Sequence, residues 1–194
     1  LGIIDLLDIM LQDICIIMFM KKIFTSLGNA FSSLYGKDIR LLRTFKLNGG
    51  DINKAYGIEL SNGIDVFMKA NEKQKVHMFI CEQENLLAIS STNSIAIPNI
   101  LAVGTDDGEE VGYSFLLMEY VPEVEKPSDF WESFGNDLAN MHKADTSAFV
   151  DGKKFGFLKD NYIGNTKQIN TPNDSWVEFF TINRLLPQFN LAKK

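Results

Sequence analysis

Two runs of alternating residues, Lys54–Leu60 and Asp65–Ala70, flank the tripeptide Ser61-Asn62-Gly63. Asn-Gly tolerates the positive φ of a type I′ turn, so the two runs are expected to pair as an antiparallel hairpin. A lone hairpin is marginal in water and needs further strands or a helix to cover one face. The flanking sequence supplies them. Arg40–Leu47 reads as a strand closed by Asn48-Gly49-Gly50, and Pro98 precedes another, Ile100–Val103. The turn-rich stretch Gly104–Gly108 leads to Tyr113–Tyr120, an almost unbroken apolar run of the kind found in a buried central strand. One helix interrupts this series, Val76–Ser90, with Phe79, Leu86 and Leu87 as its apolar stripe and Glu82 and Glu84 among its polar positions. A second is expected ahead of the strands, from Ile23 to Tyr35, ended by Gly36. The expected class is α+β: a five-stranded, mostly antiparallel sheet with one helix after its third strand.

Composition changes at Pro122 and Pro127. Phe130, Phe134, Leu138 and Met141 fall on one helical face, a long polar and aromatic loop covers Asp145–Asn173, and Ser175-Trp176-Val177-Glu178 has the form of a capping box. The helix it opens is expected to break near Pro187, a residue suited to the first turn of another helix. Three segments follow: residues 1–19, a sheet-rich lobe over 20–121, and the start of a helical lobe over 122–194.

Residues 1–19 hold fourteen apolar residues but also Asp5, Asp8 and Asp13. A membrane span carries few or no charges, and a central Asp costs about 2.5–3.5 kcal/mol. The basic start of a signal peptide is missing. Met20-Lys21-Lys22-Ile23 reads like an ordinary start of translation, so the preceding segment is expected to be upstream or read-through sequence without function. Without its three Asp the net charge changes from −6 to −3. The opening at Leu1 and a helical pattern running through Arg184 without a stop signal are what a chain cut at both ends would show. The acidic balance, 25 Asp+Glu against 19 Lys+Arg, argues against nucleic acid as the partner. Cys15 and Cys81 are too few for a disulfide framework; both sit in apolar, helix-like settings and read as reduced thiols of a cytoplasmic protein, with no membrane partner.

The order of parts carries chemistry. A glycine turn between strands one and two lets backbone amides approach phosphate oxygens. Lys69, on the face of strand three that Phe67 shares, offers a cation to those phosphates, and a glutamate on the next helix holds it. The strand ending at Glu119 leads to a hinge whose backbone can hydrogen-bond an adenine edge. Singly, each sign has a bland reading: Gly49-Gly50 as only a turn, Lys69 as a solvated strand-end lysine, Glu82 as a solvated helix residue. Together they describe the nucleotide-binding half of a protein-kinase-like fold.

From about Gly49 to Lys194 the chain resembles the fructosamine (ketosamine) kinase family, relatives of the aminoglycoside phosphotransferases. Gly49-Gly50-Asp51-Ile52-Asn53-Lys54-Ala55-Tyr56 matches the phosphate loop and Val66-Phe67-Met68-Lys69 the strand-three lysine. Phe79-Ile80-Cys81-Glu82 matches the helix glutamate, and Phe115-Leu116-Leu117-Met118-Glu119-Tyr120 the hinge strand. Phe155-Gly156-Phe157, Asp160-Asn161-Tyr162-Ile163-Gly164 and the stretch from Trp176 through Arg184-Leu185 to Pro187-Gln188 resemble this family rather than kinases at large. The resemblance implies that Gly49, Gly50, Asn53, Lys69, Glu82, Met118, Glu119 and Tyr120 bind ATP, with Glu82 rather than Glu84 as the partner of Lys69. It implies Mg2+ as second cofactor and glycated amines or glycated proteins as substrates, phosphorylated on the sugar 3-hydroxyl so that the adduct is shed and the amine repaired.

The family's base and metal ligands lie in a His-Gly-Asp-Leu-Trp-x-Gly-Asn segment and a later Asp-Pro pair, and residues 1–194 contain neither. Catalytic and metal residues are therefore assigned to none of these positions, Asp160 included, and the fragment alone is expected to be inactive. Where some relatives carry a cysteine in the phosphate loop, this chain has Asp51, so no redox switch is expected there. Two other functions fit the same residues: a truncated, non-catalytic nucleotide-binding module, and a kinase of aminoglycoside or choline type. His142 is expected to be a structural, hydrogen-bonded histidine. His77 is expected to be exposed, Cys81 to be a buried hydrophobe, and Trp176, Phe179 and Phe180 to be core.

Overall fold

The computed structural model describes residues 22–48, 52–108 and 111–193. The expectations for residues 1–19, Cys15, Gly49, Gly50 and Asp51 lie outside these. The chain divides into two compact units. The first runs through Phe79 and adds Pro98–Val121; the second takes Ile80–Ile97 and everything from Pro122 onward.

The first unit holds β1 (Ile23–Phe24), α1 (Leu27–Tyr35), β2 (Leu41–Leu47), β3 (Lys54–Leu60), β4 (Asp65–Glu72), β5 (Ile100–Asp106) and β6 (Tyr113–Glu119). They form a six-stranded sheet in the order β1-β5-β6-β4-β3-β2, antiparallel at every pairing except β1 with β5. The sequence anticipates five of the six. Ile23 and Phe24, expected in the helix, instead pair with Val103 and Gly104. The helix starts at Leu27 instead, because Ser26 is extended and its Oγ accepts the Asn29 N–H, while Asp106 of β5 accepts the Leu27 N–H at 2.7 Å. The partner strand also outlasts its expected end at Val103, continuing to Asp106.

The turn between β3 and β4 differs too. Only Gly63 has positive φ (80°); the Leu60 N–H reaches the Ile64 carbonyl and the Gly63 N–H the Leu60 carbonyl. This is a three-residue loop, a type I turn closed by a left-handed glycine, rather than the two-residue type I′ turn. Asn62 serves it through its side chain, whose Oδ1 accepts the Ile64 N–H.

The two faces of the sheet are unlike. Ile58, Leu60, Val66, Met68, Ala70, Ala102, Phe115 and Leu117 join Phe24, Ala30 and Phe31 in one buried cluster against α1. Register assigns Ala55 and Gly57 of β3, Phe67 and Lys69 of β4, and Leu116 and Met118 of β6 to the opposite face, because directly paired residues of antiparallel strands share a face. β6 is central and buried at every position from Ser114 to Met118, as its unbroken apolar run requires.

Helix α2 (Val76–Ser90) follows a single 3-10 turn and passes from the first unit into the second. The second unit continues with α3 (Phe130–Lys143), a hairpin β7 (Asn161–Ile163) and β8 (Thr166–Gln168), α4 (Trp176–Phe180), a π-helical turn (Thr181–Leu185) and α5 (Leu186–Ala192). The Asp145–Asn173 loop thus contains a short sheet. Its strands are three residues long, and side chains hold them: Asp160 Oδ1 accepts the Asn170 N–H at 3.0 Å, Asn170 donates to the Lys159 carbonyl, and Lys159 pairs with Glu84 on α2. Arg184 on the π-helical turn donates to the Ile169 carbonyl and the Asn170 side chain, tying the helical end to the hairpin.

The capping box is half made. Ser175 Oγ accepts the Glu178 N–H, but the Ser175 N–H goes to Asn173 Oδ1, and Asn173 in turn donates to the Glu178 carboxylate. Pro187 does not break the helix; the π-helical turn before it absorbs the missing N–H and ring, and the backbone stays right-handed through Leu185 and Leu186. Of the three aromatics expected in the core only Phe179 is buried. Trp176 is 53% exposed and Phe180 37%, their rings stacked at 5.3 Å. His142 is exposed in the last turn of α3, and among the described residues no hydrogen bond holds it. His77 is exposed, as expected.

Candidate nucleotide site

Lys69 stands one residue beyond the middle of β4, flanked by Ala55 on β3 and Leu116 on β6. Alternation turns it away from the Met68 and Ala70 side and onto the face of Phe67 and Met118. That face therefore pairs an apolar floor with one ammonium group, a combination suited to a flat ring carrying an anionic tail. Lys54 belongs to the other face, since it pairs with Ala70. A cavity of about 610 Å3 lies mainly on that other face, lined by Leu27, Tyr56, Ile58 and Met68, and reaches Ile52 and Asn71 at the strand end.

Gly57 shapes the β2 side of this face. A Cβ there would lie 2.2 Å from the tip of the Phe45 ring, so the glycine is what lets Phe45 of β2 fold across β3. The Tyr120 ring meets Phe45 edge-on at 6.2 Å. Phe45 and Gly57 thus belong with the candidate site although the sequence reading passed over them. A glycine inside a strand marks close approach of another group, and that was the available signal.

The end of β6 separates the three hinge candidates. Met118 is on the Lys69 face. Glu119 is on the other, opposite Val66. Its Oε2 accepts the Asn99 N–H (3.2 Å) and side-chain Nδ2 (2.8 Å), while its own N–H donates to the Asn99 carbonyl at 2.8 Å. The carboxylate of Glu119 thus fastens β5 to β6, and its amide is committed within the sheet. Tyr120 follows the strand and meets Phe45.

Asn53, next to β3, is held by Asn71 of β4: Asn71 Nδ2 donates to Asn53 Oδ1 at 2.6 Å and to the Ile52 carbonyl at 3.1 Å. Glu82 is on the part of α2 that belongs to the second unit. Its neighbour Cys81 is buried, with the thiol 3.6 Å from the Asp160 carbonyl; burial first, and Glu84 second, push its pKa up, which keeps it a thiol. Asp160, withheld from catalysis on sequence grounds, is a structural acceptor for Asn170 and Lys167. Among the described residues no three His, Cys, Asp or Glu side chains gather as a metal site.

A lysine-bearing central strand in a six-stranded, mostly antiparallel sheet, followed in the chain by a helical unit, defines a protein-kinase-like fold. The fructosamine kinase family model matches residues 23–194, and the chain belongs to that family. It is 34% identical over 167 residues to the "Probable ketoamine kinase" of Vibrio cholerae, covering 84% of this chain and 54% of that protein. It is 36% identical over 156 residues to a chloroplastic "Protein-ribulosamine 3-kinase" of Oryza sativa subsp. indica, covering 80% of this chain and 43% of the other. A solved fructosamine-3-kinase candidate from Haemophilus somnus 129PT superposes with a TM-score of 0.74 at 26% identity, over 91% of this chain and 56% of that one. The chain spans about half the length of the curated relatives it matches. No helix among the described residues is long and apolar enough to cross a membrane.

Proposed function

We propose that this chain is the nucleotide-binding part of an ATP-dependent ketoamine kinase. Lys69 neutralises the ATP phosphates, the glycine turn at Gly49 and Gly50 cradles them, and Glu82 holds the lysine. The adenine lies against Met118, with the backbone around Glu119 and Tyr120 as hinge. The acceptor is a fructosamine or ribulosamine on a lysine or free amine, and the purpose is repair of glycated amines in the cytoplasm. Mg2+ and the base that activates the sugar hydroxyl belong to the His-Gly-Asp-Leu-Trp-x-Gly-Asn segment, so residues 1–194 bind nucleotide without transferring phosphate.

One observation carries this reading: the only lysine of β4 shares a face with Phe67, Leu116 and Met118, within a family match that spans both units. Calorimetric titration with ATP tests it. The 194-residue chain is expected to bind, and Lys69→Met to lose most of that affinity with an unchanged melting temperature. Equal affinity in both proteins would overturn the assignment. Phosphate transfer to a fructosamine by this chain alone would refute the division of labour.

A second reading is a nucleotide-binding module that acts without catalysis. It shares the ATP site and differs only in predicting no kinase activity in the whole gene product.

A further inference from the structure

The second unit carries a cavity of about 600 Å3, within the roughly 300–1,000 Å3 of small-molecule sites. Every residue that lines it belongs to that unit. Aromatic rings form much of the wall: Phe149 stacks on Phe157 at 5.9 Å, and Phe155 meets Trp176 at 5.5 Å. Two polar groups interrupt it. The first is Arg184, whose guanidinium lies 4.7 Å from the centre of the Phe179 ring. Its Nη1 donates to the Ile169 and Asn183 carbonyls, and its Nη2 to Oδ1 of Asn170, an amide only 2% exposed. Three bonds thus fix the guanidinium and leave its Nε–H and one Nη2 hydrogen undonated. All three acceptors are neutral. Among the described residues no carboxylate offsets this charge, and burial alone lowers its pKa. The wall includes a second cation, Lys154, and no Asp or Glu, in a chain whose net charge is −6. The other polar group is Asn161, at the start of β7. Its Nδ2 donates to Asn85 Oδ1 at 3.4 Å, but its own Oδ1 is buried and without a partner, the only such side-chain atom among the described residues. A buried acceptor left in this state is costly, and a ligand N–H or O–H would match it.

We propose that this cavity binds a small carboxylate with a flat apolar body and one N–H or O–H donor. The carboxylate takes the spare hydrogens of Arg184, the donor satisfies Asn161 Oδ1, and the body lies among the rings. A free sugar suits the wall less, because each of its hydroxyls needs a partner and most of the lining is aromatic or aliphatic. The inference uses none of the residues assigned to the nucleotide and does not rest on that assignment.

Indole-3-acetate, which has the ring, the N–H and the carboxylate, is the probe. Calorimetric titration of the 194-residue chain reads affinity. Carbon-13 methionine methyl spectra read place, because Met141 lines the cavity whereas Met68 and Met118 belong to the first unit. Indole-3-acetate is expected to bind and, of these three, to move the Met141 resonance alone. Its 1-methyl derivative, which has no N–H, should bind about tenfold more weakly. Tryptamine, with an ammonium in place of the carboxylate, should lose at least about tenfold. Asn161→Leu should erase the preference for the N–H form with no fall in melting temperature, since it deletes an unmatched acceptor. If that variant fails to fold, the comparison of the three ligands on the parent chain decides. Equal affinity for all three, a Met141 resonance that stays in place, or no binding of indole-3-acetate at millimolar concentration would overturn the proposal. A preference for the N–H form that survives in Asn161→Leu would do the same. So would a fructosamine that moves Met141 where indole-3-acetate does not, which would give the cavity to a sugar.

Discussion

Gly104 provides the sharpest test of the sheet. It pairs with Phe24 across the single parallel pairing, and a Cβ added there would lie 2.3 Å from the Phe24 carbonyl oxygen and 2.9 Å from the Phe115 ring. Neither neighbour can yield cheaply: the first is backbone, and Phe115 is fully buried. Gly104→Ala therefore has two outcomes. Either β1 stays and the core is overpacked, costing about 1–3 kcal/mol, or β1 peels away and Phe24, now 3% exposed, loses its burial, worth about 1.5–3 kcal/mol. Both routes give a loss near 2 kcal/mol. At about 2–4 °C per kcal/mol for a chain of this size, the melting temperature should fall by roughly 4–8 °C. Thermal unfolding followed by far-UV circular dichroism reads the shift, and amide exchange at Phe24 and Leu27 tells peeling from overpacking. A Gly104→Ala protein that melts within a degree of the parent would refute the close approach of β1 to β5.

The hairpin of the second unit should be sensitive to acid. The Asn170 N–H, with Lys167 beside it, holds the Asp160 carboxyl below the usual carboxylate range. The folded form thus gives up its proton more readily than the unfolded one. The resulting stability is present above the ordinary Asp pKa and disappears as pH falls below it. Exchange protection at the Asn170 amide should hold from neutral pH to about pH 5 and drop below about pH 4, and Asp160→Asn should abolish that pH dependence. At the start of α4, Ser175→Ala should cost about 1 kcal/mol. Asn173→Ala should cost a similar amount because it bonds both Ser175 and Glu178; a neutral Asn173→Ala would show that the capping box alone is enough.

The strands β3 and β4 and the helix α2 were legible in the sequence because alternation and apolar periodicity are local properties. β1 was not: Ile23 continues the helical spacing of Leu27 and Phe31, and only the Ser26 cap and a partner strand about eighty residues away decide against it. Strands as short as β7 and β8 leave no periodicity to read, and what holds them is a set of side-chain bonds from Asp160, Asn170 and Arg184. The candidate site divides along the same line. The face of Lys69 follows from counting along a strand. The approach of Phe45 to Gly57 and the grip of Asn71 on Ile52 depend on which strands become neighbours, and each leaves a single residue, a strand glycine or a polar strand end, as its trace.

The central claim is that nucleotide lies on the Lys69 face of the sheet. Met118 and Met68 sit on adjacent strands, one on each face, both buried. With the methionine methyl groups labelled with carbon-13, titration with ATP should move the Met118 resonance and leave that of Met68 in place. A spectrum in which Met68 moves and Met118 does not would put the nucleotide on the wrong side of the sheet and contradict the account.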